Sequence, residues 1–261
     1  MNETITTNEA RDRTIQKLAA IFKDLSRTPN PNRDTVRPVL MGIAEEFLEL
    51  YNQEKWSDLL TVDELKEIFA MNPEELQGSG AFDAKFMPRF QNFTHLISIL
   101  RYSRNESIHE FYTRDLIEGV GNKIAELAKK SGKEKFIVLE VGAGDGKFSN
   151  YLRQYLQECH PGTTIEITAI DNGINEITTK YPVENLDDQQ AIVQYNPDLI
   201  LCSWMPPRED LTKDWRKSPN LKAYILVGEE DASGTEETWQ PNKDGFERER
   251  LGDVKTISPN F

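Results

Sequence analysis

The chain has 261 residues, 38% hydrophobic and 29% charged, with a formal net charge of −13. That length suits one large domain or two smaller ones, and the acidic balance argues against general binding to a nucleic-acid backbone. No apolar run is long enough to cross a bilayer, the first ten residues lack the basic flank and apolar core of a secretory signal, and two cysteines, Cys159 and Cys202, build neither a disulfide framework nor a four-cysteine metal site, so a cytoplasmic protein without membrane or metal is expected.

Residues 1–108 predict a helical region. Ile15, Leu18, Ala19, Phe22 and Leu25 recur at helical spacing, and Pro29–Pro31 breaks the pattern. Leu40, Ile43, Phe47, Leu50 and Tyr51 mark a second helix. Thr61-Val62-Asp63-Glu64 is a capping-box start to a short third helix with Leu65, Ile68 and Phe69. Asn72-Pro73 opens another piece that Gly78-Ser79-Gly80 ends, and Phe90, Phe93, Leu96, Ile97 and Leu100 mark one more helix. None of these stripes has metal-ligand or nucleophile spacing, so they are expected to face a core.

Residues 109–261 read differently. A helix carrying Leu116, Ile117, Val120, Ile124, Leu127 and Ala128 runs to Gly132, a good C-terminal stop. Strand-like segments follow at Phe136–Val141, Ile165–Ile170, Asp198–Cys202 and Ala223–Val227, with a weaker one near Pro182–Glu184. Between the first two, Phe148, Tyr151, Leu152, Tyr155 and Leu156 form one face of a helix. Strands alternating with helices predict right-handed βαβ units, hence an α/β, doubly wound, mostly parallel sheet.

The most informative stretch joins the first strand to that helix. Phe136-Ile-Val-Leu-Glu140 runs into glycines at alternate positions, Gly142, Gly144 and Gly146. Continuous apolar residues suit a buried parallel strand, and glycine admits positive φ and close approach of backbone to a ligand. The dinucleotide fingerprint Gly-x-Gly-x-x-Gly would need glycine where Lys147 stands, and the P-loop spacing is absent. The pattern resembles motif I of class I S-adenosylmethionine-dependent methyltransferases, acid-x-Gly-x-Gly-x-Gly. The resemblance covers roughly residues 109–230 and implies a Rossmann-like methyltransferase fold.

The resemblance gives the neighbouring residues expected roles toward S-adenosylmethionine. Glu140 supports the loop and attracts the amino group, and Gly142, Ala143, Gly144 and Gly146 cradle the methionine part. Asp171, followed by Asn172, stands at the second strand end, where an ionised carboxylate has acceptors for both ribose hydroxyls; the same Asp-Asn-Gly run is also good turn chemistry. Glu184 or Asp187 is the adenine-side acid. Ser203 and Trp204, after the fourth strand, face the cofactor and acceptor, and Trp204 and Met205 are candidates for an apolar wall beside the sulfonium. Ser203-Trp-Met-Pro-Pro lacks the acidic or amide first residue of the amino-methylating motif, so that chemistry is not carried over. The acids between Glu229 and Asp244 stand where a substrate gate would sit, but a solvated mobile loop accounts for them better.

The function implied is in-line methyl transfer to a small-molecule acceptor, with the helical region covering the carboxyl ends of the strands. A general base is needed only for a protonated nucleophile; His109 is the candidate, beside His95, Tyr102 and Tyr112. The alternative is a non-catalytic S-adenosylmethionine-binding sensor or partner subunit, and a nucleotide-linked oxidoreductase is disfavoured by the glycine spacing. Oligomeric state is open. Phe246–Leu251 and Val254–Ser258 are expected to form a hairpin that completes a reduced sheet; otherwise the helical region covers the edge.

Overall fold

The structure is a computed structural model and describes residues 7–27, 33–69, 96, 112–173, 179–228, 230, 232–240 and 244–251. Two compact units are present: Met1–Glu54 with Asp58–Arg114, and Lys55–Ser57 with Asp115–Phe261.

The first unit contains helices α1 (Thr7–Arg27), α2 (Arg33–Tyr51) and α3 (Val62–Ile68). The apolar stripes meet in one core: Leu18 and Phe22 of α1, Leu40 and Phe47 of α2, and Leu65 and Ile68 of α3 are all buried. Phe69 closes it, edge-on to Phe22 at 4.9 Å and tilted against Phe47 at 5.7 Å. The capping box forms in both directions, Glu64 N to Thr61 Oγ1 at 3.1 Å and Thr61 N to Glu64 Oε2 at 2.6 Å. Glu64 also pairs with Arg11, which ties α1 to the start of α3. The pieces expected after Asn72 and around Phe90 lie outside the described residues, apart from Leu96, which is helical and buried.

The second unit is α/β. Helix α4 (Arg114–Ser131) leads into β1 (Lys135–Val141), α5 (Lys147–Cys159), β2 (Thr164–Asp171) and β3 (Glu184–Asn185). Then come α6 (Asp188–Tyr195), β4 (Leu199–Ser203), α7 (Thr212–Trp215), β5 (Ala223–Val227) and α8 (Glu236–Trp239). All pairings are parallel, and the five strands are ordered β3-β2-β1-β4-β5. This is the doubly wound, Rossmann-like arrangement expected of the strand and helix alternation.

Helices α4 and α5 touch through Gly121. A Cβ there would lie 2.4 Å from Tyr155 Cδ1, so only glycine lets the ring lie flat on α4. Trp56 packs edge-on to the same ring and donates its indole N–H to Glu158 at 2.8 Å. At the amino ends of the strands, buried Asp198 pairs with Lys133 and accepts the Ile137 amide at 3.0 Å, clamping β4 to β1.

The carboxyl ends position the site. The chain leaves β1 toward β2 and β3, then returns to the other side of β1 with β4. The β1–β2 ladder holds as far as Val141 opposite Ile170, whereas the β1–β4 ladder stops at Glu140 opposite Leu201. The strand order reverses between β1 and β4, and it is at such a switch point, in the crevice outside the carboxyl ends of the strands, that open α/β sheets take their ligands.

The hairpin expected near the C-terminus does not form as drawn. Phe246 makes a single-residue bridge and residues 247–251 are not strand; Val254–Ser258 lies outside the described residues. Phe246 instead packs its ring on Tyr224 of β5 at 5.3 Å. Glu247 to Arg250 carry four charges in a row, which gives the segment no apolar face to lay on a sheet.

Candidate functional site

Three consecutive turns of the glycine loop have left-handed backbone: φ is 69° at Gly142, 56° at Gly144 and 79° at Gly146. Side chains rarely adopt these angles. The glycines nonetheless differ. A Cβ on Gly146 would come within 2.8 Å of Val183 Cγ2 and 3.3 Å of the Tyr181 carbonyl, so this position serves close packing. A Cβ on Gly142 would meet no atom within 4 Å among the described residues, its chain neighbours aside, so space stands open beside it. The loop is held by backbone bonds from Ala143 N to Ile170 O at 2.9 Å and from Gly146 N to Ala143 O at 3.0 Å.

Asp171 organises the loop directly. Its Oδ2 accepts the Gly144 amide at 3.1 Å and its Oδ1 accepts the Gly173 amide at 3.0 Å. Each oxygen keeps acceptor capacity, since a carboxylate has about four lone-pair sites. Asn172 is exposed beside it. The register sets Asn185 of β3 opposite Asp171, a neighbour that the sequence did not single out because a two-residue strand leaves no periodic signal.

Glu140 points into helix α5 rather than toward the loop amides. Gly146 caps α5 in the left-handed conformation and offers no side chain. Two of the orphan amides of the first turn are taken from elsewhere: Lys147 N donates to Asp145 Oδ1 at 3.0 Å and Ser149 N to Glu140 Oε2 at 3.2 Å. The Ser149 hydroxyl donates to the same oxygen. Burial pushes the Glu140 carboxyl up to about 7, against the Ser149 bonds and the Arg153 charge, which pull it down.

Across the crevice, β4 ends at Ser203. Continuing the β1–β4 register would set it opposite Gly142. Ser203 is 8% exposed and its Oγ is buried without a hydrogen-bond partner among the described residues. Such a group costs stability unless something else satisfies it. Trp204 follows with φ of 61°, a strained angle for a bulky residue, fixed by its amide donating to Val227 O at 2.8 Å. Its side chain is half-buried, whereas Met205 belongs to the core with Trp215 and Leu221. Of the two residues proposed as an apolar wall, Met205 is thus used in packing.

The acidic residues resolve differently from expectation. Asp187 is the N-cap of α6, accepting the Gln189 and Gln190 amides at 3.0 and 3.4 Å. Glu184 is exposed and accepts the Tyr195 hydroxyl at 2.5 Å, which raises the Tyr195 pKa. Glu230 pairs with Arg248 and Arg250, and Asp244 with Arg216 at 3.0 Å, so neither is a free acid of a gate. The loop after β5 is fastened to the loop after β4. Gly234 N donates to Met205 O at 3.1 Å and Arg208 N to Gly234 O at 2.8 Å. The buried Thr238 hydroxyl bonds Asp210 Oδ1 at 3.2 Å. Gly228 is glycine because a Cβ would lie 2.4 Å from Ser233 Oγ.

His109, His95 and Tyr102 lie outside the described residues; Tyr112 is half-buried. A separate groove of about 870 Å³ follows the outer edge of β5, walled by Leu116 and Val120 of α4 and by Phe246 and Arg248. It contains none of the glycine-loop residues, Asp171 or Ser203. No protein-family model and no curated protein matches this sequence.

The carboxyl ends of β1, β2 and β4 thus bring together an uncrowded left-handed glycine, a buried hydroxyl without a partner among the described residues and a carboxylate with spare acceptors. These features fit a small polar cofactor lying across the ends of β1, β2 and β4.

Proposed function

We propose that this chain is an S-adenosylmethionine-dependent methyltransferase acting on a small-molecule acceptor. The observation that carries the reading is the switch point between β1 and β4, with open space beside Gly142 after one strand and, at the end of the other, a buried Ser203 Oγ that has no hydrogen-bond partner among the described residues. The strand order and the acid-x-Gly-x-Gly-x-Gly loop support it.

When bound, the cofactor supplies a methyl group on a sulfonium, and the protein contributes binding and orientation. Gly142, Ala143 and Gly144 form the bed for the methionine part, and Gly146 fixes the bed against Val183. Asp171 holds the ribose hydroxyls with the acceptors left over from the Gly144 and Gly173 amides, and Asn172 flanks it. Glu184 lies beyond, at the adenine side. Ser203 donates its hydroxyl to the ligand, and Trp204 offers a ring face to a cation. His109 accepts a proton if the acceptor atom carries one.

Gly142→Ala tests the reading. Its Cβ meets no atom among the described residues, its chain neighbours aside, so the fold should lose only the left-handed backbone cost of about 1–2 kcal/mol. Affinity for S-adenosylmethionine should fall at least tenfold. A folded variant that binds as well as wild type would contradict the proposed bed. Methyl transfer from labelled cofactor to a panel of amines, carboxylates and phenols then separates an enzyme from a non-catalytic binder. Ser203 favours keeping that second reading, because it stands where amino-methylating enzymes carry Asn or Asp.

A further inference from the structure

We propose that Glu140 is the proton-linked group of the crevice: its carboxyl releases a proton when a cationic ligand settles on the glycine loop, so affinity rises with pH through the neutral range. The inference rests on the proposed cofactor, whose sulfonium and ammonium groups supply the positive charge.

The geometry is unusual for a glutamate. The residue is 1% exposed, at the last position of the β1–β4 ladder and two residues before the open space at Gly142. Its hydrogen bonds, from the Ser149 amide and hydroxyl, both fall on Oε2. No cation is paired with it among the described residues. The charged and titratable groups around it come from three elements. Arg153 of α5 acts at a distance, with its Nε committed to the Ile167 carbonyl at 3.1 Å. Asp145 of the loop opposes ionisation. Cys202 of β4 is a fully buried thiol pushed up by burial and by the charges of Glu140 and Asp188, so it stays neutral. A hydroxyl, an amide and a distant guanidinium leave the carboxylate undercompensated in a low-dielectric pocket.

Burial accordingly lifts the group to about 7, so protonated and ionised forms are both populated at neutral pH. A cation entering the crevice favours the ionised form, and the field is weakly screened because the carboxyl itself is buried. The carboxyl O–H bond breaks, its electron pair stays on the carboxylate, and the proton passes to solvent. The linkage sign follows: below the raised pKa the ligand must displace a proton and binds more weakly; above it no proton is displaced and binding reaches its plateau.

Calorimetry of the whole chain with S-adenosylmethionine, from pH 6 to 8 in buffers of different ionisation enthalpy, tests this. The expected result is fractional proton release near pH 7 and affinity rising about fivefold to tenfold from pH 6 to 8, from the linkage slope of up to tenfold per pH unit. S-adenosylhomocysteine, which lacks the sulfonium charge, should release less. Glu140→Gln, whose amide oxygen still accepts from Ser149, should bind with that release gone. The ligand's own amino group titrates alike in both proteins and cancels in the comparison. Ser149→Ala, which removes one donor from the carboxylate, should move the midpoint to higher pH. Infrared spectra of the ligand-free protein should show a protonated carboxyl near neutral pH that Glu140→Gln removes. Binding with the same pH profile in wild type and Glu140→Gln overturns the inference alone. An infrared signature of Glu140 ionised throughout pH 6 to 8 does the same. No binding of S-adenosylmethionine at any pH overturns the cofactor reading and this inference with it.

Discussion

Glu140 shows how one residue serves two ends. Its carboxyl satisfies the first turn of a helix whose cap is a side-chain-free glycine, and it does so from the strand before the loop. The price is a raised pKa. The folded-state value near 7 exceeds the ordinary 4.5, so the folded chain holds a proton that the unfolded chain has released. Stability from this group is therefore undiminished below the unfolded value and is lost as pH rises from about 4.5 to 7. The gap corresponds to roughly 3 kcal/mol at pH 8. Glu140→Gln stays neutral and escapes that loss. Urea unfolding should show its stability relative to wild type growing between pH 5.5 and pH 8; a difference constant across that range would contradict the assignment. Asp171 is a second residue with two tasks, since its carboxylate holds the Gly144 and Gly173 amides before any ligand is considered. An alanine there would loosen the loop as well as remove the ribose partner, so asparagine is the cleaner probe.

At the scale of elements, the glycines of the loop separate packing from binding. Gly146→Ala places a methyl group against Val183 and the Tyr181 carbonyl at a left-handed angle. It should cost about 2–4 kcal/mol of stability, the sum of backbone strain and overpacking. Gly142→Ala should cost about half of that, and equal losses in thermal unfolding would show that the loop is packed uniformly. Asp198→Ala removes the buried acceptor of the Ile137 amide and should cost about 1–3 kcal/mol without touching the crevice. Elements with strong periodicity were legible from the residues alone. The apolar stripes of α1, α2, α4 and α5, the capping box at Thr61 and the runs of β1, β2, β4 and β5 all carry their own signal. Helix α6 did not, because only Ala191 is buried and no stripe forms, although its cap Asp187 was visible as an acid, one of two alternatives for the adenine side. Helices α7 and α8 are single turns, too short to carry a periodic stripe, and the bond that joins them, Thr238 to Asp210, links residues distant in sequence. The same contacts fasten a loop that its acids marked, from the residues alone, as solvated and mobile.

At the scale of the whole molecule, the sheet order brings together residues that the chain keeps far apart. Gly142, Asp171 and Ser203 stand at the carboxyl ends of three adjacent strands because β4 returns to the side of β1 away from β2. The groove of about 870 Å³ along β5 holds none of them. The sequence located the glycine loop and Asp171; the pairing of β4 with β1, the Ser203 hydroxyl that lacks a partner among the described residues and the burial of Glu140 needed the fold. The central claim is that the crevice binds S-adenosylmethionine. Calorimetric titration of the whole chain with S-adenosylmethionine and S-adenosylhomocysteine, beside Asp171→Asn, tests it most directly. Micromolar binding of about −8 kcal/mol, weakened at least tenfold in the variant, is the predicted result. Absence of binding by either ligand at millimolar concentration would contradict it.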